Sequence, residues 1–116
     1  MNPARPAAGT LLCALDEIAD PGAKGFKFRN GDQLFAGFVV RRGGTVIGYV
    51  DQCPHVGLPM DAAPDRYLTR ENDLILCGAH GALFRIETGM CIAGPAWGKT
   101  LEPWPVEVAG GEVRAA

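Results

Sequence analysis

Glycine and proline interrupt this chain so often that no long helix fits between them. The sequence holds sixteen glycines in 116 residues, together with nine prolines. That glycine share is about twice the usual ~7 %. Glycine reaches positive φ at no steric cost, and proline cannot continue a helix. Turns must therefore be frequent and the elements between them short. Most of those elements have strand character. Residues 33–42, QLFAGFVVRR, form the longest run and are rich in Phe and Val. Gly43-Gly44 then supplies a hairpin turn, and residues 45–51, TVIGYVD, return from it. Shorter runs at 11–15, 25–28, 74–76 and 82–85 read as further strands. Residues 106–108 and 112–114 flank Gly110-Gly111 as a second glycine hairpin. Helical periodicity is confined to CALDEIA at 13–19, enough for one turn.

The length suits one domain, residues 1–116. A formal charge of −2 and a pI near 5.6, with no basic stripe, exclude the electrostatic footprint of a nucleic-acid binder. No apolar run approaches the ~20 residues of a membrane span. The weakly apolar stretch 7–15 runs straight into Asp16-Glu17 without a small-residue cleavage site, so no export signal is expected there. The only Arg-Arg pair, Arg41-Arg42, is internal. The expected compartment is the cytoplasm. In that reducing setting four cysteines point to metal rather than to disulfides.

Both histidines of the chain closely follow a cysteine. Cys53-Pro54-His55 opens a long loop, 52–73, and Cys77-Gly78-Ala79-His80 forms a tight one. A loop of that length in a small domain is usually functional or disordered, and this one begins with two candidate ligands. Each loop leaves a strand, so the two can face each other as prongs. Gly57, Gly78 and Gly81 let the backbone bend and can bring amide N–H groups towards thiolate sulfur. Two cysteines and two histidines can hold one tetrahedral zinc. They can equally hold a [2Fe–2S] cluster, with thiolates on one iron and imidazoles on the other. A zinc finger typically places Cys with Cys and His with His. The mixed prongs here favour the cluster without excluding zinc.

The pattern CPH…CGAHG resembles the Rieske signature, C-x-H…C-x-x-H-G. HGALFRIETG is similar to that family's H-G-x-x-F-x-x-x-T-G, and GPAWGKTLEPWPVEVAGGEV resembles its closing segment. The likeness runs from about 45 to 113. It implies an all-β fold of three small antiparallel sheets, with a cluster-binding subdomain at one tip, about 51–98 here. It also implies one [2Fe–2S] cluster per chain, with Cys53 and Cys77 on the buried iron and His55 and His80 on the outer one. Gly94-Pro95 would belong to a third loop covering the cluster. The gap between His55 and Cys77 is a few residues longer than in ferredoxin-type members. APDRYLTREN, 63–72, is the expected insertion, charged and solvated. The disulfide cysteines of respiratory Rieske proteins are replaced by Leu58 and Ala79. The Ser and Tyr that donate to the cluster in those proteins are replaced by Ala82 and Phe84.

Charge arithmetic explains the consequence. With neutral imidazoles, two ferric ions, two sulfides and two thiolates sum to zero, and one electron takes the cluster only to −1. Rieske potentials accordingly span about −150 to +300 mV, against about −400 mV for plant-type ferredoxins. Without hydroxyl donors at 82 and 84 the low end is expected. A Rieske oxygenase needs a second iron on two histidines and a carboxylate. No histidine remains for one, so the chain reads as an electron carrier and not an enzyme. The resemblance implies electrons received from a flavin reductase and passed to a terminal oxygenase, as in bacterial aromatic dioxygenase systems. Val56, Leu58, Pro59, Pro95 and Trp97 would form an apolar rim, with Trp97 either docking a partner or buried. Asp51, Asp61, Asp65, Glu71 and Asp73 could steer a basic partner. Trp104 is expected in the core, and Cys13 and Cys91 as buried thiols. Two alternatives stand beside this reading: a small subunit of a nitrite-reductase-like enzyme, and a zinc-stabilised binding module.

Overall fold

The computed structural model describes residues 2–54, 60, 65–78 and 81–116. Nine strands and one short 3₁₀ turn are found among them, in the order β1 (Leu11–Ala14), the turn Leu15–Glu17, β2 (Gly22–Asn30), β3 (Gln33–Arg42), β4 (Thr45–Val50), β5 (Leu74–Leu76), β6 (Leu83–Arg85), β7 (Cys91–Ala93), β8 (Val106–Ala109) and β9 (Glu112–Ala115). They form three antiparallel three-stranded sheets, ordered β1-β9-β8, β2-β3-β4 and β5-β6-β7. The expected all-β class and three-sheet architecture are both present. Both glycine hairpins form: Gly43 closes β3–β4, and Gly110 and Gly111, at φ +59° and +76°, close β8–β9. The last two are the pair of positive φ values that a tight hairpin matched to strand twist requires.

β3 organises the molecule because both of its faces are buried. Side chains alternate across a strand, so Phe35 and Val39 enter one core while Phe38 and Val40 enter another. This explains why 33–42 reads as a nearly continuous apolar run instead of an alternating one. The first core gathers around Trp104, which meets Phe26, Phe28 and Phe35 at ring-centroid separations of 5.9, 6.4 and 5.2 Å. Gly37 sits on that face because any Cβ there would strike the indole, 2.5 Å from its Cε3. The second core contains Tyr49, Met60, Tyr67, Ile75, Phe84, Ile86 and Leu101, together with Cys53, Cys77 and Cys91. The two candidate thiolate ligands therefore belong to one core, built from the opposite face of β3.

Two elements differ from expectation. β2 runs over nine residues instead of the four at 25–28. Its unpromising ends, Gly22-Ala23-Lys24 and Arg29-Asn30, are recruited by an unbroken register with β3, from Gly22 opposite Arg41 to Asn30 opposite Gln33. β7 was not expected; it runs just before the Gly94-Pro95 loop and is held by β6. CALDEIA forms the single expected turn, in which Glu17 Oε1 accepts the Ala14 N–H at 2.8 Å.

Candidate metal centre

Each cysteine-bearing loop begins where a strand ends. After β4 the chain is pinned by two backbone bonds, Val50 N–H to Glu102 O and Asp51 N–H to Ala36 O, both 2.9 Å. Cys53 follows, with no accessible surface. Cys77 comes directly after β5 and is equally buried. Its loop is closed at the base by Cys77 N–H to Ala82 O at 2.8 Å and Gly81 N–H to Cys77 O at 2.9 Å, with Gly81 at φ +74°. This is the tight second prong expected from the sequence.

The prongs are joined. Met60, on the far side of the first loop, accepts the Gly78 N–H at 2.8 Å. The Met60 N–H in turn donates to Asp51 Oδ1 at 2.7 Å. The amides of Gly78 and Gly81 are thus taken by backbone carbonyls. Their own N–H groups therefore tie the loops shut. Gly57, the third glycine expected to bend these loops, lies outside the described residues.

The third loop packs onto the second. Gly94, at φ +93°, lies so close to Ala82 that a Cβ would come within 2.9 Å of its Cα. Ala96 is buried in the same core as the two cysteines, while Pro95 is exposed and Trp97 is 74 % exposed. Trp97 is therefore a surface side chain, and Trp104 is the core tryptophan. Ala82 and Phe84 are fully buried beside the loop base, and neither side chain can donate a hydrogen bond.

The four cysteines are in no disulfide. Cys13 lies in the other core, and its thiol is pushed up in pKa by burial and then by Glu17, with Lys24 opposing. A thiol so placed stays protonated and inert. Cys91 is buried and its Sγ donates to Ala93 O at 3.1 Å. Cys53 and Cys77 differ from these two by standing at the bases of two linked loops. The expected ligands His55 and His80 lie outside the described residues, as do rim residues Val56, Leu58 and Pro59 and the acidic Asp61. Among the described residues no group of three or more metal-binding side chains comes together. The two sulfurs nonetheless suit a metal: they belong to fully buried cysteines, share a core with apolar neighbours, and are in no disulfide.

Of the acidic residues around the first prong, Asp65, Glu71 and Asp73 are exposed, and Asp51 is not. Asp51 is only 6 % exposed and is the one charged side chain buried among the described residues. It accepts from Met60 N–H and, at 3.1 Å, from the Tyr67 hydroxyl. Asp65 Oδ1 accepts the Gly25 N–H at 2.7 Å, and Asp73 pairs with the Thr69 hydroxyl. The segment expected as a solvated insertion sends Tyr67 into the core, stacked on Phe38 at 4.3 Å. Sequence reasoning placed Asp51 among the acids that could steer a partner, which its burial corrects, and did not single out Tyr67. The available signal was a lone aromatic within a charged stretch.

The profile of the Rieske [2Fe-2S] domain family matches residues 10–107. No curated protein matches the chain in sequence. Among solved structures, the chain is similar to the ferredoxin of carbazole 1,9a-dioxygenase from Nocardioides aromaticivorans IC177, at 22 % identity and a TM-score of 0.73, covering 96 % of this chain and 98 % of that one. A complex of reduced oxygenase and oxidized ferredoxin in carbazole 1,9a-dioxygenase matches at 25 % identity and a TM-score of 0.69, over 91 % of this chain and 90 % of that one. The reduced complex between oxygenase and ferredoxin matches at 22 % and 0.73, over 90 % of this chain but only 27 % of the longer chain it aligns with. Among the described residues no helix is long and apolar enough to cross a membrane.

Proposed function

We propose, from the membership of this chain in the Rieske [2Fe–2S] domain family, that it is a one-electron carrier. Cys53, His55, Cys77 and His80 would hold one cluster. The single observation that carries this reading is the pair of fully buried, disulfide-free cysteines at the bases of two loops tied through Met60 and Gly78. The histidine assignment rests on the motif. When bound, the cluster supplies a one-electron couple between a neutral and a singly negative state.

The rest is the work of this chain's own residues. Met60, Ala82, Phe84 and Ala96 are fully buried in the same core as the two cysteines, and Ala82 and Phe84 carry no hydroxyl donor. Both histidines are spent on the cluster, which leaves none for the mononuclear iron of an oxygenase. The similarity to a ferredoxin, and to its complex with an oxygenase, supports a terminal oxygenase of an aromatic dioxygenase system as electron acceptor. A flavin reductase as donor and a cytoplasmic setting complete the reading. The exposed Trp97 lies on the third loop.

Anaerobic purification with iron, sulfide and zinc analysis tests this directly. Two irons and two sulfides per chain are expected, with a red-brown colour. After dithionite, an EPR signal of low average g is expected. A colourless protein carrying one zinc per chain, and no cluster after reconstitution with iron and sulfide, would establish the zinc-stabilised module instead.

A further inference from the structure

We propose that Asp51 and Tyr67 are positioning residues that lock the two cysteine-bearing loops in one register. This inference rests on the cluster assignment above. A buried carboxylate is costly unless its oxygens are hydrogen-bonded, and each oxygen of Asp51 has a donor. Oδ1 takes the Met60 N–H, and Oδ2 takes the Tyr67 hydroxyl. The Met60 carbonyl takes the N–H of Gly78, the residue after Cys77. Asp51 itself is two residues before Cys53. An unbroken chain of bonds, Tyr67–Asp51–Met60–Gly78, therefore connects one cysteine to the other.

Tyr67 closes the circuit from the opposite side. Its backbone carbonyl accepts the N–H of Leu76, the residue before Cys77, at 2.8 Å. Its ring is stacked flat on Phe38, 7° from parallel. The same residue thus contacts the approach to Cys77 through its backbone and the approach to Cys53 through its hydroxyl. The segment 65–76 supplies this part, with its hairpin closed by Thr69 N–H to Leu74 O at 3.0 Å. The insertion is a clasp built onto the site, not a surface ornament.

The experiment compares two hydroxyl deletions in the cluster-loaded protein. Tyr67→Phe removes the donor to Asp51. Tyr49→Phe removes an equally buried hydroxyl of the same core, which donates to Ile86 O at 2.6 Å, away from the loops. The readouts are the rate of iron release to a chelator, the EPR g values of the reduced cluster and the melting temperature. A hydrogen bond to a charged group weighs roughly tenfold or more in an equilibrium. Tyr67→Phe is expected to release iron about tenfold faster than Tyr49→Phe and to shift the g values, which Tyr49→Phe leaves at wild type. Asp51→Asn, which keeps an acceptor for Met60 N–H, should fall between Tyr67→Phe and wild type. If Tyr67→Phe does not accumulate, Gly25→Ala takes its place, since a Cβ at 25 would press on the Tyr67 hydroxyl. Equal release rates and unchanged g values in the two tyrosine variants would overturn the proposal. A wild-type protein that takes up no cluster would instead overturn the carrier reading on which it stands.

Discussion

Replacing Gly94 with alanine isolates the contact between the third loop and the second. Two costs arise. At φ +93° a side chain meets the left-handed penalty, roughly 1–2 kcal/mol. The new Cβ also lies 2.9 Å from Ala82 Cα and 3.4 Å from its nitrogen. Those are backbone atoms that cannot swing aside, and overpacking of this kind adds about 1–3 kcal/mol. Gly98 is the internal control. Its φ is +84°, but a Cβ there meets nothing within 4 Å, so only the first cost applies. For a chain of this size 1 kcal/mol moves the melting temperature by roughly 3–6 °C. Gly98→Ala should therefore melt about 5 °C below wild type and Gly94→Ala about 10 °C or more below. The second cost falls on Ala82, whose carbonyl holds the Cys77 N–H. Gly94→Ala should accordingly also purify with less iron per chain, while Gly98→Ala keeps the wild-type content. Calorimetry and iron analysis on the three proteins decide the matter. Equal melting temperatures and iron contents in the two variants would refute the claim that the third loop bears on the second.

Three further outcomes are expected. With no hydroxyl at 82 or 84, the reduction midpoint should lie well below about 0 mV; a dye-mediated titration giving a clearly positive value would contradict the assignment of those positions. Trp97→Ala, at an exposed site, should change stability by less than about 0.5 kcal/mol yet slow reduction of an oxygenase partner in stopped-flow assays; unchanged rates would remove Trp97 from the docking face. Burial first and Glu87 second push the Tyr49 hydroxyl up to about 12, against about 10 in an unfolded chain. The unfolded form then loses its proton first, so stability is intact below pH 10 and declines by about 2–3 kcal/mol as pH rises to 12. Denaturant titrations should show that decline in wild type and not in Tyr49→Phe.

Much of the scaffold was legible because its signals are local. The apolar run of β3 and the glycine pairs at 43–44 and 110–111 mark their hairpins without reference to anything distant. The loops bearing Cys53 and Cys77 were legible from spacing alone. What escaped depends on partners far along the chain. The ends of β2 are strand only because β3 lies beside them, and β7 is too short to show a period of its own. Asp51 looked like one more solvated acid, because the groups that make its burial tolerable come from residues 60 and 67. Tyr67 was masked in the same way by the charged residues around it. No window of sequence holds both ends of those bonds.

The two-faced strand at the centre has a consequence for how such a protein is made. The core around Trp104 contains neither candidate ligand cysteine, whereas the core on the other side of β3 contains both. Half of the structure can be complete before any inorganic component arrives. Cluster loading then becomes a step that the Trp104 side of the sheet need not wait for.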